Sequence, residues 1–118
     1  MENTTRKLHV GMAEGAVEIY NLLFDLGRSL EGDSNNTLIP VIQISLEKAK
    51  QILSKLGVEE MPTYGKELDG NYMISAGTVK SKADEVVSQD HVAVVYKNAF
   101  RMKDSKKVIQ TALVKTIE

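Results

Sequence analysis

Apolar and polar positions along the chain change their period several times, and each change marks an element. The most regular stretch is the last quarter. Val92, Val94, Tyr96, Phe100 and Met102 alternate onto one strand face, with Val95, Lys97, Ala99, Arg101 and Lys103 on the other. Asp104-Ser105 makes a tight connection, and Lys107 to Ile117 alternates again, so the pattern predicts a long antiparallel hairpin with a cationic tip. In mid-chain, Leu46, Ala49, Ile52, Leu53 and Leu56 form one stripe at helical spacing. Ser45 stands as the expected cap and Gly57 as the stop.

The remaining elements follow from punctuation. Met1 to Thr5 reads as a loose polar start and Arg6 to Val10 as a first strand, with Gly11 and Gly15 breaking the chain after it. Ala16 to Leu30 supports two patterns. Ala16, Ile19, Tyr20, Leu23 and Gly27 share a helical face, whereas Tyr20, Leu22, Phe24 and Leu26 share a strand face; propensity leans to helix. Glu31 to Asn36 is a turn by composition. Thr37 to Ile44 is a short β-branched strand that Pro40 confines to an edge or bulge. Val58 to Gly70 reads as an irregular connection, Asn71 to Val79 as a strand broken near Gly77, and Lys82 to Ser88 as a short helix begun by Ser81 and Asp84. The order predicts a mainly β protein with one or two helices: a single domain over residues 1–118, built as a partly closed five-stranded barrel of the oligonucleotide-binding (OB) type, with a generic α+β sheet as the other option.

Composition narrows the chemistry. A chain of 118 residues suits one core, and the absence of cysteine removes disulfides, thiol nucleophiles and thiolate metal sites. No apolar start resembles a signal peptide and no apolar run is long enough to cross a bilayer, so a cytoplasmic protein with no membrane role is expected. The formal net charge of -1 hides segregation. Residues 1–40 carry three basic and six acidic side chains, while residues 91–118 carry a net +4. Segregation of this kind produces a local field that attracts a polyanion.

His9 and His91 are isolated, and Glu59, Glu60, Glu67 and Asp69 read as a solvated loop. No glycine-rich phosphate loop is present, so neither an enzyme, a metal nor a cofactor is expected. Binders of single strands combine cations for phosphates with aromatic faces for bases. Lys97, Arg101, Lys103, Lys106 and Lys107 on the hairpin supply the first ingredient. Tyr64 and Tyr72, with Lys66, Lys80 and Lys82 nearby in sequence, supply the second. A solvated edge guarded by lysines accounts for the hairpin equally well. Tyr96 and Phe100 pattern with the core.

In the opening Met-Glu-Asn-Thr, in Glu14-Gly-Ala-Val-Glu-Ile-Tyr-Asn21, in the Asp69-Gly-Asn-Tyr72 turn and in the closing basic hairpin, the chain resembles the small phage single-stranded-DNA-binding proteins of the lactococcal phage type. The resemblance implies an OB-like fold, a strand at Ala16 to Leu26, a homodimer or higher oligomer, and sequence-tolerant binding of single-stranded DNA in phage replication and recombination beside a recombinase. Dimerisation is also suggested by the apolar strand 107–117, whose edge would otherwise be exposed. The alternative, from a different class, is a small phage interaction protein that inhibits or modulates a host protein, which needs only a folded surface.

Overall fold

In the computed structural model, which describes residues 2–33 and 35–118 and, from residue 8 on, their side chains, the chain forms two compact units, Met1–Glu59 and Glu60–Glu118. Met1 of the predicted loose start and Ser34 of the predicted turn lie outside the described residues.

The first unit is an antiparallel helical hairpin of α1 (Glu2–Ser29) and α2 (Leu38–Lys55). The helix option for Ala16 to Leu30 is the one adopted. The strand implied there by the resemblance is absent, as is the strand at Arg6 to Val10, because α1 runs through both. Gly11, Gly15 and Gly27 each cost a helix roughly 1 kcal/mol relative to Ala. Ala13, Val17 and Tyr20 offset that cost by burying a 4-3 stripe. Near the far end of α1, a Cβ on Gly27 would stand 3.2 Å from Ile42 Cγ2, so a side chain there would make Ile42 give by a few tenths of an ångström. At the other end His9 Nε2 meets the Leu56 carbonyl.

Thr37 to Ile44, expected as a strand, is instead the first two turns of α2. Pro40 sits in the opening turn, where an amide N–H has no partner inside the helix, so its missing donor costs nothing there. Asn36 Oδ1 accepts the Leu38 amide at 2.9 Å and begins the helix. Ser45 does not cap: its hydroxyl donates to the Val41 carbonyl at 2.9 Å from within the helix. Gly57 ends α2 as the sequence predicts, at φ +80°, with its amide on the Ser54 carbonyl at 3.0 Å.

The second part of the chain carries β1 (Val58–Met61), β2 (Met73–Val79), β3 (Val92–Lys97), β4 (Ala99–Met102), β5 (Val108–Gln110) and β6 (Ala112–Ile117). They form two three-stranded sheets, ordered β1-β4-β5 and β2-β6-β3, so the expected OB-like barrel is not formed and the fold is mixed α and β. The β3–β6 and β4–β5 pairs are antiparallel, and β2 runs parallel to β6.

The predicted long hairpin is present, but it is divided between the sheets: its inner rungs belong to one and its tip to the other. The break falls at buried Asn98 and at Thr111, and Gln110 Nε2 donates to the Asn98 carbonyl across it at 2.8 Å. Register shifts between Val92 and Val94 and between Val95 and Lys97 change the side-chain phase. The core therefore takes Val92, Ala99, Ala112, Val114 and Met73, with Val95 packed on it, and Tyr96 turns away to lie under Lys115 Nζ at 5.6 Å. Lys82 to Ser88 is not a helix; a single turn closes through the Glu85 amide on Lys82 O at 3.1 Å, since adjacent β-branched Val86 and Val87 favour extended backbone.

Each part has its own apolar interior, so truncations read out separately. Leu53→Ala is expected to destabilise the helical hairpin and Phe100→Ala the β unit, by about 2–5 kcal/mol each. Both residues are under 3% exposed. Thermal unfolding followed by far-UV circular dichroism checks the first and tyrosine fluorescence the second.

Candidate functional site

The β unit holds a cleft of about 640 Å³ lined by Gly65 to Gly70, Tyr72 and His91. It is built by the β1–β2 loop, which is fastened to the start of β3. The Gly65 amide donates to Val92 O and the Val92 amide to Lys66 O, both at 2.8 Å, and Glu67 bridges His91. Asp69 organises the turn into β2. Its Oδ1 accepts the Asn71 amide at 2.9 Å, and its carbonyl accepts the amides of Tyr72 at 3.2 Å and Met73 at 2.8 Å. The Tyr72 hydroxyl donates to the Pro62 carbonyl at 2.8 Å, and His91 Nδ1 lies 2.9 Å from the Gln89 carbonyl. Polar groups of the cleft thus serve to shape the loop around it.

Tyr72, predicted as a base platform, is half-buried with its ring against the core cluster. Burial, together with the Asp69 carboxylate, holds its phenol above the ordinary tyrosine range, and the Arg101 guanidinium offsets part of that rise. Tyr64 is exposed beside Gly65, and Lys66 is exposed on the cleft. Lys80 and Lys82 follow the far end of β2, whose seven residues span roughly 23 Å, so they do not join Tyr72.

The five hairpin cations are likewise distributed rather than gathered. Lys97 is exposed in β3 opposite Leu113, while Arg101 is half-buried in β4 opposite Val108. Lys103, Lys106 and Lys107 are exposed together in the turn beyond them. The break at Asn98 separates Lys97 from the rest, a separation that alternation through residues 92–103 does not reveal.

A surface that the sequence reading passed over lies on α1. Leu8, Met12, Ile19, Leu22 and Leu26 are all exposed, Leu22 to 71%. With exposed Gly15 they step 4-3-4-3-4, a heptad seam. At 100° per residue this seam lies about 150° around the helix from the buried Ala13, Val17 and Tyr20 stripe. On α2, Leu38, Val41, Ile44 and Ile52 form a second exposed apolar flank. The signal in the sequence was the 4-3 spacing, masked by the apparent strand period of Tyr20, Leu22, Phe24 and Leu26.

The chain is thus a helical hairpin with exposed apolar flanks followed by a small two-sheet unit that carries a basic turn between β4 and β5. A family model described as GrpE matches residues 11–118, and the chain belongs to the GrpE family. Comparison with curated protein sequences returns no match. The GrpE match spans both units and overturns the resemblance to phage single-stranded-DNA-binding proteins. With it go single-stranded DNA and a recombinase as partners, and the roles in replication and recombination, because the family is one of nucleotide exchange factors for the Hsp70 chaperone. The expectation that the chain modulates another protein stands closer to that family.

The Tyr72 contact yields a stability prediction. A phenol whose pKa is raised on folding contributes stability that is present in full below its ordinary pKa of 10.0 and is lost as pH rises through the raised value. Tyr72→Phe is expected to cost about 1 kcal/mol at neutral pH through the lost bond to Pro62. It should also flatten the alkaline loss of stability, as measured by urea titrations of wild type and variant at pH 7 and above pH 10.

Proposed function

We propose that this protein is a nucleotide exchange factor for an Hsp70-class chaperone and acts as a homodimer joined through the helical hairpins. The observation that carries the reading is the GrpE match over residues 11–118, which includes α1 from Gly11 on and the whole β unit. A cytoplasmic location accords with it, and among the described residues no helix is long and apolar enough to cross a membrane.

The chain has no phosphate loop of its own, so in this reading the nucleotide stays on the chaperone and the exchange factor works by differential affinity. It binds the conformation that holds ADP poorly more tightly than the one that holds ADP well, and so shifts the population toward release. No bond is made or broken by the chain. Coupling of this kind is reciprocal: the factor by which the protein weakens ADP binding equals the factor by which ADP weakens binding of the protein.

The heptad seam on α1 supports self-association. Five exposed apolar side chains in 4-3 register are too regular for scattered surface residues, and a second copy of the same seam is the partner that matches their spacing. The exposed flank of α2 supplies apolar surface to the same bundle. Of the edge expected along residues 107–117, β6 is the central strand of its sheet, paired on both sides by β2 and β3, and offers no free edge, while the short β5 lies at the edge of the other sheet.

Two measurements test the reading. Adding the full chain to an Hsp70 ATPase domain loaded with fluorescent ADP is expected to speed ADP release and to weaken ADP affinity by about 5- to 150-fold, with ADP weakening binding of the chain by the same factor. Unchanged release in a stopped-flow chase removes the exchange function. Ile19→Glu with Leu22→Glu, both on the exposed seam, is expected to convert a dimer into a folded monomer in sedimentation equilibrium. A variant that sediments like wild type removes the seam from the interface.

A further inference from the structure

We infer that Asp69-Gly70, in the turn that leads into β2, is a site of spontaneous covalent modification: in the folded protein it closes to a succinimide and reopens as an isoaspartyl bond, which dismantles the turn that shapes the cleft. Asp69-Gly70 is the one Asp-Gly pair in the sequence, and no Asn-Gly pair is present. Glycine has no side chain to shield its amide nitrogen from the neighbouring carboxyl. Gly70 is exposed, and open space surrounds the place where its Cβ would stand.

The structure separates this aspartate from the other five. Ring closure needs the amide of the next residue to be free, and the Gly70 amide makes no hydrogen bond among the described residues. Asp25 and the residue after it lie inside α1. The Glu85 amide, after Asp84, donates to Lys82 O at 3.1 Å, and the His91 amide, after Asp90, to Ser88 O at 3.1 Å. The Ser105 amide, after Asp104, is held on Asp104 Oδ1 at 2.6 Å. Asp33 is followed by Ser34, which lies outside the described residues. At Asp69 the carboxyl is held forward along the chain, because Oδ1 accepts the Asn71 amide at 2.9 Å. That bond carries the carboxyl past the Gly70 nitrogen and polarises its carbonyl. The two amides on Asp69 O, from Tyr72 and Met73, restrain the residues after Gly70 and leave the Gly70 nitrogen untouched.

The step balances with water alone. A bond forms from the Gly70 nitrogen to Asp69 Cγ, the bond from Cγ to Oδ2 breaks, and Oδ2 leaves as water with the carboxyl proton and the amide proton. Water then opens the ring. When it adds at the former main-chain carbonyl of Asp69, the bond from that carbon to the Gly70 nitrogen breaks, and the chain continues through Cβ and Cγ. The carbonyl that accepted the Tyr72 amide at 3.2 Å and the Met73 amide at 2.8 Å is then a free carboxylate outside the main chain, and Oδ1 no longer caps Asn71. Met73 belongs to the core cluster and Tyr72 packs against it, so the change reaches the interior as well as the cleft.

The test ages the full chain at growth temperature and mildly acidic pH, where more of a carboxyl is protonated. Two readouts follow residue 69. The tryptic peptide 67–80 keeps its mass and changes its elution, and an isoaspartyl methyltransferase transfers labelled methyl from S-adenosylmethionine to the new α-carboxylate. Isoaspartate is expected at residue 69 ahead of every other aspartate, and the converted protein is expected to unfold at a lower temperature by tyrosine fluorescence. Gly70→Val, whose side chain has room and shields the nitrogen, should stay folded and stop the conversion. Asp69→Asn keeps the acceptor for Asn71 and should convert faster, with ammonia leaving in place of water. Residue 69 remaining aspartate in the folded chain, while a free peptide of residues 64–75 converts, would overturn the inference. Conversion of Gly70→Val at the wild-type rate, conversion spread evenly over the aspartates, or a converted protein that unfolds like the fresh one would overturn it too.

Discussion

The β unit depends on one hairpin that serves two sheets. Residues 92–102 and 108–117 pair along their length, but the pairing is interrupted at Asn98 and Thr111, so β3 and β6 remain in one sheet while β4 and β5 pass into the other. Ala99 and Ala112 follow the interruption immediately on the two strands, and both are completely buried. These two small side chains join Met73, Val92 and Val114 in one core cluster. The Gln110 amide on the Asn98 carbonyl satisfies a backbone acceptor that the broken ladder would leave without a strand partner.

Much else in the unit follows from that crossing. β6 becomes the central strand of its sheet, with β3 antiparallel on one side and β2 parallel on the other, and its alternate residues Ala112 and Val114 complete the core. The β1–β2 loop is drawn onto the start of β3 through Gly65 and Lys66, and this shapes the cleft and sets Tyr72 against the core with its hydroxyl on Pro62. The tip of the hairpin is carried into the second sheet, and its lysines are presented there on a bonded turn.

The helical hairpin obeys a different constraint. One helix carries two apolar stripes about 150° apart, and α2 covers only the one that runs through Ala13, Val17 and Tyr20. The other stripe is regular enough to define a partner's spacing. The GrpE-family match takes in residues of both units, 11–118.

The sequence by itself determined the elements whose signals are local. The stop at Gly57, the turn around Gly32, the β2 strand with its irregularity at Gly77 and the cationic hairpin could all be read there, because glycine conformation and short-range alternation depend on neighbouring residues only. The sequence did not decide whether Ala16 to Leu30 was helix or strand, since both periods fit the same residues. It pointed the wrong way at Thr37 to Ile44, where β-branched residues and Pro40 imitate an edge strand. Tertiary structure decided both. Packing against a second helix rewards the 3.6-residue period over its whole length, and it outweighs propensity differences of a few tenths of a kcal/mol per residue. The faces of β3, the separation of Lys97 from the tip lysines and the burial of Tyr72 were also settled only by the fold. A strand's side-chain phase is inverted by a single register slip, and the slips around Val92 to Lys97 are set by which strand lies opposite.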